Sequence, residues 1–412
     1  MDLKTNKEMK KALLLLGLML LPLAIHAAGE IEIDGIYYKL NKITKTYEVT
    51  SNPNKYVGDI IIPSMITYEE VDYKITRIGA GAFKDCIYLT SITIPNSVTY
   101  FGSSSFEGCS NLKLVVFNSN TDIRFKDVFG SQVENFILGE EVTSIGQRAF
   151  SGCSDLISIE IPNSVETIKY GAFENCSKLA SVFIPNCVKT IETNAFDGCY
   201  GLTTVTIGSG IESVENIKYA FPIGWSLKKI IINNNALIAN SYDLDSSMYS
   251  VFKEFAEEYI LGDNVTCIGD YAFHGCGGMK SIIIPNSVNS IGRYAFLFCR
   301  ILTNIYCYAE QVPEINGHPF EEGFYSVYSN ATIHVPAGSI DAYKNAEIWK
   351  KFENIVALTD DDPKPTGIKS IKNNEITEKR YYSIDGKQTT IPQRGLNITR
   401  MSDGTTKKVV IK

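Results

Sequence analysis

Apolar residues recur along most of the chain in the pattern L-x-x-I-x-I-P, followed by a turn and a second apolar pair. The stretch Leu156 to Cys176, L-I-S-I-E-I-P-N-S-V-E-T-I-K-Y-G-A-F-E-N-C, contains the whole unit. Alternation of Ile159 and Ile161 predicts a short strand with one buried face. Pro162 ends the strand, because proline cannot donate to a strand ladder. The Ala-Phe pair near the end of the unit predicts a compact helical turn that packs against the strand.

The phenylalanine of this pair recurs at nearly constant spacing. The steps between consecutive positions run from 21 to 31 residues, and half of them are 23. A fixed period in the twenties is typical of a solenoid, in which one unit cannot bury its apolar side alone and neighbouring units stack. We therefore predict one continuous repeat body of about eleven turns. Its file of aligned phenylalanines is Phe83, Phe106, Phe129, Phe150, Phe173, Phe196, Phe221, Phe252, Phe273, Phe296 and Phe320.

Seven units carry a cysteine three residues after this phenylalanine. A disulfide needs facing Cβ atoms, whereas equivalent residues on adjacent turns of a solenoid point in the same direction. The pattern therefore favours reduced, small, buried side chains over a disulfide framework or a metal site. These cysteines are Cys86, Cys109, Cys153, Cys176, Cys199, Cys276 and Cys299.

The phrase I-P-N-S-V-x-x-I-G-x-x-A-F-x-G-C resembles the BspA-like family of leucine-rich repeats over about Ile60 to Cys307. The resemblance implies a β-rich repeat solenoid of the α+β type: a leucine-rich-repeat right-handed coil with a parallel β-sheet on one face. It also implies a bacterial, non-enzymatic adhesin or surface-recognition protein that binds proteins of a host or a neighbouring cell.

Two units depart from the pattern in the same way. The stretches 112–129 and 227–252 lack the proline and the cysteine, and each is followed by a step of 21 residues. Their likeness indicates that a block of several units was duplicated. The second copy is longer, so we predict a loop over Asn233 to Ser250.

The flanks of the repeats differ in composition. Residues 1–27 combine lysines, an apolar run too short to favour a membrane span and small residues. This combination is typical of a secretory signal. Terminal coils need covers because their core would otherwise face water. The predicted segments are a signal peptide (1–27), an N-terminal β-hairpin cap (28–58), leucine-rich repeats (59–307), a C-terminal cap (308–357), a linker (358–366) and a small basic β module (367–412).

Charge separates the last segment from the body. Residues 367–412 carry a net +6, whereas residues 28–366 carry −15, and the whole chain carries −7. An acidic body argues against nucleic-acid binding, because phosphate contact needs positive charge. Two Asp-Gly pairs in the tail predict hairpin turns. The tail resembles the C-terminal sorting domains of the type IX secretion pathway; the alternative is a basic β module without a sorting role.

The sequence contains no arrangement that favours catalysis. Its four histidines lie in separate segments or units, so neither a zinc cluster nor a catalytic triad is indicated. We predict no enzyme, no metal and no cofactor. The leading hypothesis is a secreted or cell-surface recognition and adhesion scaffold that binds a protein ligand. The alternatives are a polysaccharide-binding accessory protein and a purely structural surface spacer.

A candidate binding face follows from the strand pattern. If the apolar positions point inward, the residue between the last two points outward, and seven of the ten outward residues are apolar or aromatic. Such a surface often marks an interaction site, although strand propensity, curvature or a neighbouring loop would also account for it. The outward file is Thr93, Val116, Ile137, Glu160, Phe183, Thr206, Ile231, Ile260, Ile283 and Tyr306. From it we predict ligand binding at Phe183, Ile231, Ile260, Ile283 and Tyr306.

Overall fold

The computed structural model describes residues 30–119, 123–221, 227–320 and 327–365, and the backbone of four strands between residues 380 and 411. Within residues 58–357 successive coils stack, and their main strands pair in parallel. The predicted leucine-rich-repeat solenoid with a parallel sheet on one face is confirmed. The predicted signal peptide, residues 1–27, lies outside the described residues.

A sheet of mixed strand direction covers the N-terminal end. The strands of this region are β1 (Glu30–Ile33), β2 (Ile36–Asn41), β3 (Thr46–Val49), β4 (Gly58–Ile61), β5 (Met65–Tyr68), β6 (Val71–Ile78), β7 (Leu89–Ile94) and β8 (Tyr100–Phe101). Strands β1 to β3 form antiparallel hairpins, and β3 pairs in parallel with β6. The buried ring of Tyr56 lies 4.6 Å from that of Phe83. The cap therefore extends the phenylalanine file.

The remaining coils each place a main strand on one side and, in many coils, a two-residue strand on a second side. In chain order the strands are β9 (Leu114–Phe117), β10 (Asn135–Leu138), β11 (Ser144–Ile145), β12 (Ser158–Glu160), β13 (Thr167–Ile168), β14 (Ser181–Ile184), β15 (Thr190–Ile191), β16 (Thr204–Ile207), β17 (Lys229–Ile232), β18 (Glu258–Leu261), β19 (Cys267–Ile268), β20 (Ser281–Ile284), β21 (Ser290–Ile291), β22 (Asn304–Cys307), β23 (Glu314–Ile315), β24 (Thr332–Val335) and β25 (Asn354–Ala357).

The main strands form two parallel sheets that follow one another along the solenoid. The first has the order β12-β10-β9-β7-β4, and the second has the order β14-β16-β17-β18-β20-β22-β24-β25. The strands β11, β13 and β15 form one short parallel sheet, and β19, β21 and β23 form another. Alternating burial follows the sequence pattern: in β7, Leu89, Ile92 and Ile94 are fully buried, whereas Thr90 is exposed.

Stacked rings form the centre of the core. The ring of Phe173 lies 5.2 Å from that of Phe150 and 5.1 Å from that of Phe196, and the rings of each pair are stacked and nearly parallel. A backbone hydrogen bond joins each pair of turns; for example, Phe173 N donates to Ala195 O at 2.7 Å. The file thus carries both the apolar stack and the contact between coils.

The predicted file is right on one side only in the two divergent units. The buried rings of Phe129 and Phe252 lie 4.7 Å and 5.3 Å from those of Phe106 and Phe221 in the preceding coils, but other residues make the contact with the next coil. Phe125, not Phe129, stacks on Phe150 at 4.3 Å, and its N–H donates to the carbonyl of Ala149 in the next coil. Met248 makes the matching bond to Ala272 O and takes the place assigned to Phe252. Both units form a short helix at this point, so the contact with the next coil is made four residues before the predicted phenylalanine.

The helices within the described residues are short. They are α1 (Phe125–Phe129), α2 (Asn235–Ala239), α3 (Met248–Phe252), α4 (Val327–Asn330) and α5 (Ile340–Asn345), with 3₁₀ turns at Val214–Asn216, Ala337–Ser339 and Trp349–Lys351. The loop predicted from Asn233 to Ser250 is therefore wrong in part, since it contains α2. The buried Asn234 caps α2 by accepting from Leu237 N, and its amide donates to Ile211 O at 2.8 Å.

All ten cysteines are free, and the seven aligned ones are buried, as predicted. Each of several thiols donates to the file phenylalanine of the preceding coil: Cys176 Sγ lies 3.2 Å from Phe150 O, and Cys199 Sγ lies 3.1 Å from Phe173 O. Burial raises the pKa of Cys153 to about 12. The Cys176 and Cys199 thiols therefore join adjacent coils as hydrogen-bond donors.

The C-terminal end is closed by α5 and the turn at Trp349. The hydroxyl of Tyr343 donates to Ala309 O at 2.9 Å, and Trp349 Nε1 donates to Pro313 O at 3.2 Å. Beyond this cap, four antiparallel strands are described: β26 (Arg380–Tyr382), β27 (Gln388–Thr389), β28 (Gly395–Arg400) and β29 (Thr406–Ile411), in the order β27-β26-β28-β29.

Candidate binding face

We call the side of the main strands that faces away from the core the outer strand face. Its residues lie in register from strand to strand: Thr206 pairs with Ile231, Ile231 with Ile260, Ile260 with Ile283, and Ile283 with Tyr306. In the first sheet, Leu114, Val116 and Ile137 form a small buried cluster separate from the inner core. The outward direction predicted for the file is therefore correct.

The exposure expected of the five predicted binding residues is only partly right. All five lie in one file of the second sheet, from β14 to β22. Phe183 is 43% exposed, and Ile231 and Tyr306 are half-buried. Ile260 and Ile283 are only 3% and 0% exposed, so their expected exposure is wrong. Each lies between bulky neighbours of the same file about 4.8 Å away, which shield it although it points away from the core.

An open groove of about 570 Å³ lies on the first sheet, at the carboxyl ends of β4, β7, β9 and β10. Thr93 and Ile137 of the outward file line it, and amide and carboxylate side chains lie along it, namely Asn96, Asn118, Glu140 and Glu141. An apolar floor with a few polar groups is the usual composition of a ligand pocket. The arrangement can accept hydrogen bonds from a ligand while burying part of its apolar surface.

Sequence reasoning missed this groove. Its signal lies in the divergent unit, where Asn118 stands in place of the usual proline and Gly139 follows the next strand. A Cβ atom on Gly139 would collide with the side chain of Asn118. The Asn-Gly pairing recurs between Asn233 and Gly262, so it belongs to the duplicated block rather than to the common repeat.

The other end of the outer strand face is covered by residues Leu358–Pro365, which we call the C-terminal strap. Its Asp362 carboxylate lies 3.7 Å from His334 Nδ1, and Pro363 O accepts from the hydroxyl of Tyr308 at 3.2 Å. Sequence composition predicted a linker here, and these contacts with the strands were not anticipated. The strap lies against the end of the face that includes Tyr306.

Burial dominates the electrostatics at this end. His334 follows Tyr306 in the outward file, and the two rings are 4.4 Å apart. Burial lowers the pKa of His334 below its ordinary value, and the nearby Asp362 carboxylate opposes this. Burial also raises the pKa of Tyr306, and the charges of Asp362 and Glu258 add to the effect. At neutral pH both rings are therefore uncharged.

The described residues form neither a metal-binding cluster nor a helix suited to a membrane. In that part of the chain, no group of three or more His, Cys, Asp or Glu side chains is placed to hold a metal ion. Among its helices, none combines the length and the apolar character needed to cross a membrane.

Comparison with known proteins gives a family match. The family described as "BspA type Leucine rich repeat region" matches in six copies within residues 64–154, 125–247 and 245–338. No curated protein matches the chain.

Several solved structures are similar in fold. A leucine-rich cell surface protein from Faecalibacterium prausnitzii A2-165 is 21% identical, with 82% of this chain and 96% of that chain covered and a TM-score of 0.33. A leucine-rich repeat protein from Bacteroides ovatus ATCC 8483 is 23% identical, with 80% of this chain and 100% of that chain covered and a TM-score of 0.29. The pneumococcal vaccine antigen PcpA is 18% identical, with 81% of this chain and 99% of that chain covered and a TM-score of 0.34.

Proposed function

The chain belongs to the BspA-type leucine-rich repeat family, and on that basis we propose that it is an exported surface protein that binds a protein ligand through its outer strand face. The role is recognition or adhesion rather than catalysis. The observation that carries the proposal is the exposed ring of Phe183, which lies in register with the half-buried Thr206 and Ile231 of the next two strands. Aromatic and aliphatic surface of this kind is typical of the centre of a protein interface.

The alternatives differ in what they require of the same face. A polysaccharide-binding site favours exposed aromatic rings flanked by Asn, Asp or Gln. The neighbours of Phe183 on its own and the next strand are Ser181 and Thr206, and the next three residues of the file, Ile231, Ile260 and Ile283, are aliphatic. This composition supports a protein ligand over a glycan. A structural spacer would need no exposed anchor at all.

A substitution at Phe183 tests the proposal. Wild-type protein and the Phe183→Ser variant serve as baits for surface extracts of host and neighbouring cells, and the captured protein is then purified and titrated. We expect Phe183→Ser to weaken its binding about 30-fold, since loss of a hot-spot residue costs about 2 kcal/mol. The variant removes an exposed ring, so the circular-dichroism spectrum and melting temperature should be unchanged.

Ile87→Ser is the matched control, because Ile87 is 45% exposed in the turn that precedes β7 and lies off the outer strand face. It should bind like wild type. Equal binding by Phe183→Ser and wild type would refute the role of this file. Binding on a glycan array that Phe183→Ser abolishes would instead support the polysaccharide alternative.

We also propose that residues 367–412 direct sorting to the cell surface after the signal peptide has directed export. Their support is the resemblance to type IX sorting domains, together with a net charge of +6 on an otherwise acidic chain. Deletion of residues 367–412 should leave the solenoid folded but retained in the periplasm, as measured by cell fractionation and surface labelling. Unchanged surface display of the deleted form would leave only the alternative of a basic module without a sorting role.

A further inference from the structure

The C-terminal strap reverses direction and crosses the outer strand face. Leu358 extends the last ladder by donating its N–H to Val335 O at 2.7 Å. A turn follows, in which Asp362 Oδ2 accepts from Thr359 N at 2.7 Å and from Thr359 Oγ1 at 3.1 Å. This turn brings Asp362 back over β24 and Pro363 back to β22.

The strap covers groups that would otherwise extend the proposed binding file. Beneath it, His334 is held by a 3.2 Å contact from Nε2 to Asn304 Oδ1 and by stacking on Tyr306. The side chains of His334 and Asp362 are only 16% and 13% exposed. A protein ligand bound along the file would therefore meet the strap at Tyr306, Tyr308 and His334.

The attachment of the strap is local and polar. Its polar contacts with the strands include the Asp362–His334 pair and the Tyr308 hydrogen bond, and no residue of Leu358–Pro365 is fully buried. Thr359, Asp360, Asp361 and Lys364 are exposed. Pro363 and Pro365 have no N–H and cannot continue a ladder. Segments with few buried apolar contacts open at low free energy without unfolding the rest of the protein.

We propose that Leu358–Pro365 is a releasable strap that restricts the C-terminal end of the binding face. When docked, it keeps a protein ligand from Tyr306, Tyr308 and His334. When released, it adds these side chains to the file that begins at Phe183. This inference rests on the proposed function of the outer strand face.

The Asp362→Ala variant of the full chain tests the strap without any ligand. The readout is the pKa of His334, measured by NMR titration and assigned with a His334→Gln spectrum. Two effects act on this pKa in opposite directions: burial, to which the strap contributes, is the larger effect and lowers the pKa, and the charge of Asp362 raises it. If the substitution releases the strap, burial is relieved and the pKa of His334 should rise toward its ordinary value.

If the strap stays in place, the pKa of His334 should change in the opposite direction. Loss of the carboxylate would then lower the pKa of His334 further, and either a fall or no change overturns the proposal. Hydrogen exchange supplies a second readout: release should speed exchange of the Leu358 amide, which donates to Val335 O, several-fold with an unchanged melting temperature. A lowered melting temperature with uniformly faster exchange would show a structural cap rather than a strap.

Asp360→Ala is the matched control, because Asp360 is an exposed aspartate of the same strap. It should change neither readout.

The ligand captured in the Phe183 experiment then separates the two proposals. If Phe183→Ser weakens binding but Asp362→Ala lowers the pKa of His334, only the strap fails. If Asp362→Ala releases the strap but Phe183→Ser binds normally, the proposed function fails.

Discussion

Replacing Phe173 by alanine is expected to lower the free energy of unfolding by about 3–5 kcal/mol. The ring is fully buried and stacks on a phenylalanine of the coil before and of the coil after it. Removing it leaves a cavity in a continuous core, which the neighbouring coils cannot close without breaking their own backbone bonds. Urea unfolding followed by circular dichroism measures the change. A loss in a central coil also weakens the coupling on both sides, because each coil of a solenoid contacts only its neighbours.

Cys176→Ala provides a comparison in the same coil. It removes a buried thiol and its hydrogen bond to Phe150 O, but that carbonyl still accepts from Cys153 N at 3.0 Å. The expected loss is about 1 kcal/mol, the usual contribution of one hydrogen bond. If Cys176→Ala destabilises the protein as much as Phe173→Ala does, the thiols rather than the rings hold the coils together, and our account of the core is wrong.

The repeat could be predicted from the sequence because its information is local and periodic. Leu89, Ile92 and Ile94 bury one face of a strand whatever the neighbouring coils contain. The file was incomplete at Phe129 and Phe252. Their rings contact the preceding coil, but a second buried residue one helical turn earlier, Phe125 or Met248, contacts the next coil. Spacing alone cannot choose between two apolar residues four apart, because they lie on the same side of a helix.

The direction of the binding file could be predicted, but its exposure could not. Period two fixes the side to which Ile260 and Ile283 point. Their burial depends on the bulk of the neighbours in register, which the residue itself does not encode. Phe183 remains exposed because its neighbour in the next coil is the smaller Thr206.

The strap could not be predicted, because its composition is that of a linker. Charged and proline-rich segments have too little apolar surface to fold alone. Asp362 pairs with a histidine 28 residues earlier in the chain, and no local sequence pattern predicts such a contact. The groove at Asn118 depends in the same way on four different coils.

Gly292→Ala is expected to destabilise the protein by about 1–3 kcal/mol, the usual cost of overpacking. Gly292 follows the two-residue strand β21, and a Cβ atom there would lie 2.5 Å from Asp270 N and 2.6 Å from Gly269 C of the preceding coil. Both are backbone atoms, so no side chain can rotate away. The coils would have to separate locally, which would lengthen the bond from Gly292 N to Ile268 O, now 2.7 Å.

Gly338→Ala is the control that separates crowding from the loss of backbone freedom. A Cβ atom on Gly338 meets nothing within 4 Å, and the residue lies in a 3₁₀ turn of the C-terminal cap. The same substitution there should be neutral or should stabilise by about 0.4–1 kcal/mol, since alanine restricts the unfolded chain. Opposite signs for the two variants in urea unfolding would show that close approach of the coils, rather than flexibility, requires the glycine. Equal effects would mean that the coils can separate at Gly292 without loss and that the stack is not tightly spaced on this side.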